Sequence, residues 1–125
     1  MSRLEAVTKQ YKKMVERLSD VLKEKKTDIA RDSAIKRFEF TFDLSWKTIK
    51  AVLEQEKGIS CRSPKDCFRQ AYKLGLIEYN EFWLQMTDWR NQAVHTYSEK
   101  FANSFYKKLP KALKHFQHLL KNLTI

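Results

Sequence analysis

Apolar side chains recur along this chain at alternating steps of three and four, the spacing that keeps them on one face of an α-helix. Leu4, Val7, Tyr11, Met14, Leu18, Val21 and Leu22 form the first stripe. The lysine cluster at 23–26 closes it, where cations offset the negative end of the helix dipole. Thr27 or Asp28 is then placed to cap a second helix, predicted over about residues 29 to 57 with a left-handed stop at Gly58. Its stripe is Ile35, Phe38, Phe42, Ser45, Ile49 and Val52, yet Phe40, Leu44, Trp46 and Leu53 lie off that stripe. A helix apolar on more than one face is either central to the fold or meets a second subunit.

Ser63-Pro64-Lys65-Asp66 reads as an N-cap, a proline at the first helical position and an acidic residue in the first turn, opening a short helix through Cys67, Phe68, Ala71 and Leu74 that Gly75 closes. Asn80 is placed to cap a fourth segment carrying Phe82, Trp83, Met86, Trp89 and Ala93. Thr96-Tyr97-Ser98-Glu99 fits the capping-box pattern, which predicts a new helix beginning beside His95. The last helix carries Phe101, Phe105, Leu109, Ala112, Phe116, Leu119 and Leu123, with Pro110 in its interior predicted to kink it. Four long helices and one short one, briefly connected, predict an all-α fold: an up-and-down four-helix bundle with one additional short helix.

Composition agrees. Only two glycines and two prolines occur in 125 residues, too few for a sheet fold rich in tight turns. With 42% hydrophobic residues there is material for a real core, and the length suits a single domain over 1–125. The net charge of +10 favours polyanionic partners, although lysine-rich solvated surfaces are common. No apolar run approaches the ~20 residues that span a bilayer, and the N-terminus has no signal-like apolar block, so the expectation is a cytoplasmic protein without a membrane partner. Cys61 and Cys67, with five residues between them and no second ligand pair at metal spacing, read as reduced thiols. His115 and His118 read as a solvated pair on one helix, and the Asn122-Leu123-Thr124 sequon carries no weight without secretion.

Chemistry concentrates between Asp88 and Tyr97. Arg90 offers a permanent charge in a planar fork suited to phosphate, and His95 a group that moves protons near neutrality. In one regular helix these two would point roughly 140° apart. They share a pocket only if the helix ends near Val94, so that His95 swings at a junction, or if two copies of the chain converge on one cleft. Asp88, Asn91 and His95 share a face whatever Arg90 does. Glu39 and Asp43, four apart on the aromatic helix, are placed to orient the histidine or a nucleotide, or simply to form a charged stripe continued by Lys47. Trp83 and Trp89 offer base stacking, though aromatics at helical spacing are more often core.

Arg90-Asn91, His95 and Tyr97 together resemble the R-x4-H-x-Y signature of the HEPN superfamily. The run Phe38-Glu39-Phe40-Thr41-Phe42-Asp43-Leu44-Ser45-Trp46-Lys47 is similar to the second helix of its nucleotidyltransferase substrate-binding subgroup, and Ser63-Pro64-Lys65 with Phe68 and Ala71 fits as well. The resemblance covers nearly the whole chain. It implies a helical bundle that forms a homodimer, partnered by a minimal nucleotidyltransferase in a toxin–antitoxin pair, with some relatives acting as metal-independent RNA endonucleases. Carried over, Arg90 would hold the scissile phosphate and His95 would act as general base or acid, with Asn91, Glu39 and Asp43 orienting and no metal or cofactor required. Tyr97 would be the tyrosine that the partner modifies with adenylate. The alternative implied by the subgroup is a non-catalytic subunit that binds RNA or a nucleotide substrate for the nucleotidyltransferase.

Overall fold

Side-chain hydroxyls set most of the helix starts. The computed structural model describes residues 2–78, 80–95 and 98–123. In it, Ser2 accepts a hydrogen bond from the Glu5 amide, Thr27 from Ala30, Ser63 from Asp66 and Ser98 from Phe101, at 3.0–3.2 Å. Each satisfies an amide that the first helical turn leaves unpaired. The elements are α1 (Arg3–Lys23), α2 (Asp28–Lys57), α3 (Pro64–Lys73), α4 (Asn80–His95), α5 (Glu99–Tyr106) and α6 (Leu109–Leu123). No strand occurs among the described residues, so the predicted all-α class holds. Gly58 and Gly75, at φ 63° and 78°, supply the two left-handed stops that end α2 and follow α3.

The last predicted helix is in fact two. Proline has no amide to donate and its ring collides with the carbonyl four residues back, here that of Tyr106. The helix therefore ends at Tyr106, a turn follows, and Pro110 sits second in α6, where its missing amide is not needed. The start of α5 also differs from the expected capping box, because the capping hydroxyl is Ser98. Thr96 and Tyr97 lie outside the described residues. Asn80 is the first residue of α4 rather than a cap preceding it.

The off-stripe apolar residues of α2 mark it as the central helix. It packs against each of the other five, and eleven of its residues are buried, from Arg31 to Leu53. The core around it is a closed circuit of rings: Phe38 to Phe42, Phe42 to Phe68, Phe68 to Trp83, Trp83 to Phe116 and Phe116 back to Phe38, with centroids 4.8–6.1 Å apart. Phe105 of α5 joins edge-on to Phe38, and Tyr11 of α1 edge-on to Phe116. Every helix thus contributes a ring, and rings in this range attract beyond the area they bury. The Tyr11 hydroxyl donates to the Phe116 carbonyl at 2.7 Å. Burial raises its pKa well above the usual phenol value, so it stays a donor. Thr41, Ser45 and Thr48, buried on α2, return their hydroxyls to backbone carbonyls of their own helix, which leaves no buried donor unpaired at these three positions.

Cys61 and Cys67 are bridged, not free thiols as the spacing suggested. Spacing rules detect frameworks of several bridges or metal-ligand pairs. A single bridge across one turn is decided by local geometry, and here the α2–α3 connection folds back until the Cα atoms are 5.1 Å apart. Asp66 secures the same turn by accepting from the Arg62 amide at 2.9 Å. Closing so short a ring stabilises by about 2 kcal/mol on the chain-entropy account. Urea denaturation with and without a thiol reductant should differ by that amount, and coincident curves would mean that the turn is held without the bridge.

Candidate functional site

Arg90 leaves α4 on the side that faces α2. Its Nη2 lies 3.1 Å from Asp43 Oδ1, and its Nη1 donates to Asn91 Oδ1 at 3.2 Å. Arg90 Nε, although shielded from solvent, makes no hydrogen bond among the described residues. Asp43 is therefore not a member of a solvated stripe with Lys47; it fixes a guanidinium 47 positions away in sequence. Both side chains are about one-third exposed, 33% and 32%. At that exposure the pair contributes little to stability but narrows the orientations open to the arginine fork.

Glu39, one turn before Asp43, lines a cleft of about 200 Å³ together with Asp32, Ile35, Ala93, Ser98 and Phe101. Asp43 meets Arg90 while Glu39 shares a cleft with Ala93, so α4 runs antiparallel to α2, and the cleft continues the same seam toward the end of α4. Two of the orienting candidates, Asp43 and Asn91, thus hold Arg90, and the third, Glu39, lies in the wall of the cleft.

His95 is the last residue of α4 and exposed. The helix stays regular through it, which keeps it roughly 140° around the axis from Arg90. Among the described residues no hydrogen bond or ion pair joins the two. Asp88 turns outward to α3, where it pairs with Lys65 at 2.8 Å. Trp83 is core at 1% exposure, and Trp89 is half-buried with the Lys108 ammonium 4.7 Å from its ring centre. Tyr97, the modification candidate, lies outside the described residues.

Two features escaped the sequence reading. Arg31 of α2 is 1% exposed, covered by Asp28, Asp32 and Glu99 at 2.9–3.6 Å and by Asn103, to which it donates at 3.2 Å. The hydrogen bond to Asp32, outweighing the desolvation that opposes it, raises its pKa above the ordinary arginine value. Its partners on α5 make it a clamp at the cleft's end, and the Asp28–Arg31 spacing was the available signal. The second feature is His115, which is not part of a solvated pair. Its imidazole stacks on Phe82 with centroids 4.0 Å apart and planes 12° from parallel. Burial first, then Lys111 and His118, lower its pKa, against a smaller opposing pull from Glu78. Asn122 is also engaged, donating to the Leu76 carbonyl at 2.8 Å.

No group of three or more His, Cys, Asp or Glu side chains that would hold a metal ion occurs among the described residues, and no helix there is long and apolar enough to cross a membrane. Comparison with known proteins adds the following. A family profile described as nucleotidyltransferase substrate binding protein like matches residues 1–125. The probable ribonuclease HepT of Haemophilus influenzae is 34% identical over 72% of this chain, and the match spans 64% of that relative's own length, just under two thirds of it. Among solved structures, a Thermus thermophilus protein superposes with a TM-score of 0.86 at 32% identity, covering 92% of this chain and 99% of that one. A Haemophilus influenzae protein, described as having the fold of a substrate binding domain of a nucleotidyltransferase, gives 0.73 at 28% identity over 98% and 97%. A chain of the toxin–antitoxin MntA–HepT gives 0.78 at 18% identity over 96% and 95%, a likeness of fold.

If Asp43 orients Arg90 rather than stabilising the bundle, Asp43→Asn should shift unfolding free energy by less than about 1 kcal/mol; a larger loss in chemical denaturation would make the pair structural. For His115 the lowered pKa means that the unfolded chain binds its proton first as pH falls. Stability is then full above the ordinary histidine value and declines as pH drops through it toward the lower folded value. The gap in melting temperature between native protein and His115→Gln should therefore shrink or invert from about pH 7 to pH 5. A gap independent of pH would refute the lowered pKa.

Proposed function

The chain belongs to the nucleotidyltransferase substrate-binding-protein-like family of the HEPN superfamily, and from that premise we propose that it is the HEPN-type partner of a minimal nucleotidyltransferase, the toxin side of a toxin–antitoxin pair that cuts RNA without a metal ion. The observation that carries this reading is Arg90: a guanidinium held by Asp43 and Asn91 three residues before Ala93 of the cleft wall, and a solvent-facing His95 at the end of the same helix. In the reaction Arg90 holds the scissile phosphate and stabilises the charge that develops on it, and His95 takes the proton from the attacking 2′-hydroxyl or supplies one to the leaving oxygen.

On this reading the working unit is a homodimer. A regular α4 keeps the two groups apart within one chain, whereas a two-fold arrangement sets Arg90 of one copy against His95 of the other. Tyr97 is the site at which the partner nucleotidyltransferase deposits adenylate, whose negative charge and bulk would block the phosphate cleft. The protein acts in the cytoplasm.

Purified protein should cleave RNA in EDTA, with His95→Ala lowering the rate by about 10²–10⁴-fold and Arg90→Ala by about 10²–10³-fold. Mixing the two inactive variants should restore up to about a quarter of native activity, because only mixed dimers hold one intact pair. Undiminished cleavage by His95→Ala would remove His95 from the mechanism, and no restoration on mixing would place both groups in one chain. The regular helix through His95 favours a second reading, a non-catalytic subunit that binds substrate for the nucleotidyltransferase. It predicts co-purification with that enzyme and no cleavage of RNA by any form.

A further inference from the structure

The last acidic residue of the chain is Glu99; beyond it come Lys100, Lys107, Lys108, Lys111, Lys114, His115, His118 and Lys121. On α6 these fall in one arc. At 100° per residue, Lys111, Lys114, His115, His118 and Lys121 share about a third of the circumference, and the buried positions Leu109, Ala112, Phe116 and Leu119 occupy another. A merely solvated face would alternate its charges or leave its lysines extended into water. Here the cations close on aromatic rings of α4 instead: Lys108 lies over Trp89 at 4.7 Å and Lys111 over Phe82 at 5.1 Å. The carboxylates nearby are Glu78, 3.9 Å from His118, and Glu81.

His115 stands in the middle of this ridge and lines two separate clefts. One, of about 160 Å³, is walled by Trp83, Lys114, His118 and Glu78, and the other, of about 390 Å³, by Phe82, Gln85, Lys111 and Glu81. The imidazole, stacked on Phe82 and met edge-on by Trp83 at 6.3 Å, is half-buried between the two clefts it lines, with Lys114 in the wall of one and Lys111 in the wall of the other.

We propose that the outer face of α6 is a second binding surface, separate from the Arg90 site, that tracks the phosphates of single-stranded RNA while unpaired bases enter the clefts beside His115 and stack on its ring. Lys108, Lys111 and Lys114, three residues apart, meet successive phosphates, and the stacking platform selects an unpaired strand over a duplex, whose bases are already stacked. An acidic protein segment would use the lysines but leave the ring and both clefts without a role. The surface meets α4 at Phe82 and Trp89, roughly 80–100° around that helix from Arg90, so one helix joins cleavage to retention of the strand. The choice of RNA as ligand rests on the function proposed above; the position of the surface does not.

Fluorescence anisotropy with a labelled oligouridine tests this in a His95→Ala background, which leaves the probe uncut. Lys111→Gln with Lys114→Gln should weaken binding at least about 10-fold and reduce the salt slope of log affinity by about 2. His115→Ala should weaken oligouridine binding but leave binding of inorganic polyphosphate, which has no bases, unchanged. Thermal melts confirm that each variant folds, and the exposed lysine pair keeps the test valid if His115→Ala does not. Unaltered affinity in the lysine variant overturns the surface, as does an equal loss of oligouridine and polyphosphate on removing His115. Cleavage by the native chain reports separately on Arg90 and His95: a chain that cuts RNA but ignores the α6 substitutions refutes only the second surface. A chain that neither cuts nor binds RNA refutes both.

Discussion

Five aromatic rings from α2, α3, α4 and α6 close a circuit that begins and ends at Phe38, and the placement of the candidate site residues depends on it. A helix with one apolar stripe can be covered by a single neighbour; α2, apolar on several sides, must be surrounded. Surrounding it fixes which residues of the other helices face inward, and by exclusion which face out. Trp83 and Met86 turn inward on α4, so Arg90 is carried to the α2 seam within reach of Asp43. Phe116 turns inward on α6, so the basic arc of that helix faces solvent. Each fully buried side chain of this size contributes about 1.5–3 kcal/mol, more than any of the exposed ion pairs contributes, so packing sets the geometry and the charges accommodate it.

What was legible in the sequence follows the same division. The period of apolar residues, the hydroxyl caps at Thr27 and Ser63 and the stop at Gly58 are local signals, and local physics decides them. The central role of α2 was visible in Phe40, Leu44, Trp46 and Leu53, although Phe40 remains 48% exposed. Pro110 was recognised as disruptive, but whether proline kinks a helix or divides it depends on whether the chain can spare a turn, which the sequence does not state. The Cys61–Cys67 bridge, the Arg31 clamp and the Asp43–Arg90 contact were hidden for another reason. They depend on how segments meet, and no pattern within one helix records its neighbour.

Charge illustrates the gap between composition and placement. A net +10 describes a field that attracts polyanions from a distance, yet it is silent on where they dock. The acidic residues of the first four helices partly match their cations, as in the Lys65–Asp88 and Arg3–Glu54 pairs. Beyond Glu99 the chain has no carboxylate side chain of its own, and the six lysines from Lys100 to Lys121 account for more than half of the net +10. His115 gained its meaning only once α6 was laid against Phe82; as a sequence position it was one histidine among lysines.

The relation between Arg90 and His95 is governed by the same packing. Rotating α4 by the roughly 140° that separates them would bring His95 to the α2 seam, but it would also carry Trp83 and Met86 out of the core. Two buried side chains lost at about 1.5–3 kcal/mol each outweigh anything a surface ion pair could return. Unwinding the last turn is less costly, since Asn91, Gln92, Val94 and His95 are exposed and only their backbone hydrogen bonds would be exchanged with water. Least costly is to leave α4 untouched and bring a second copy to the exposed end of the helix, where Val94, 52% exposed, offers apolar surface beside His95. If His95 is the acid–base group and Arg90 the phosphate anchor of the proposed reaction, a rigid helix that holds them on different sides is a poor site for one molecule and a sound half-site for two.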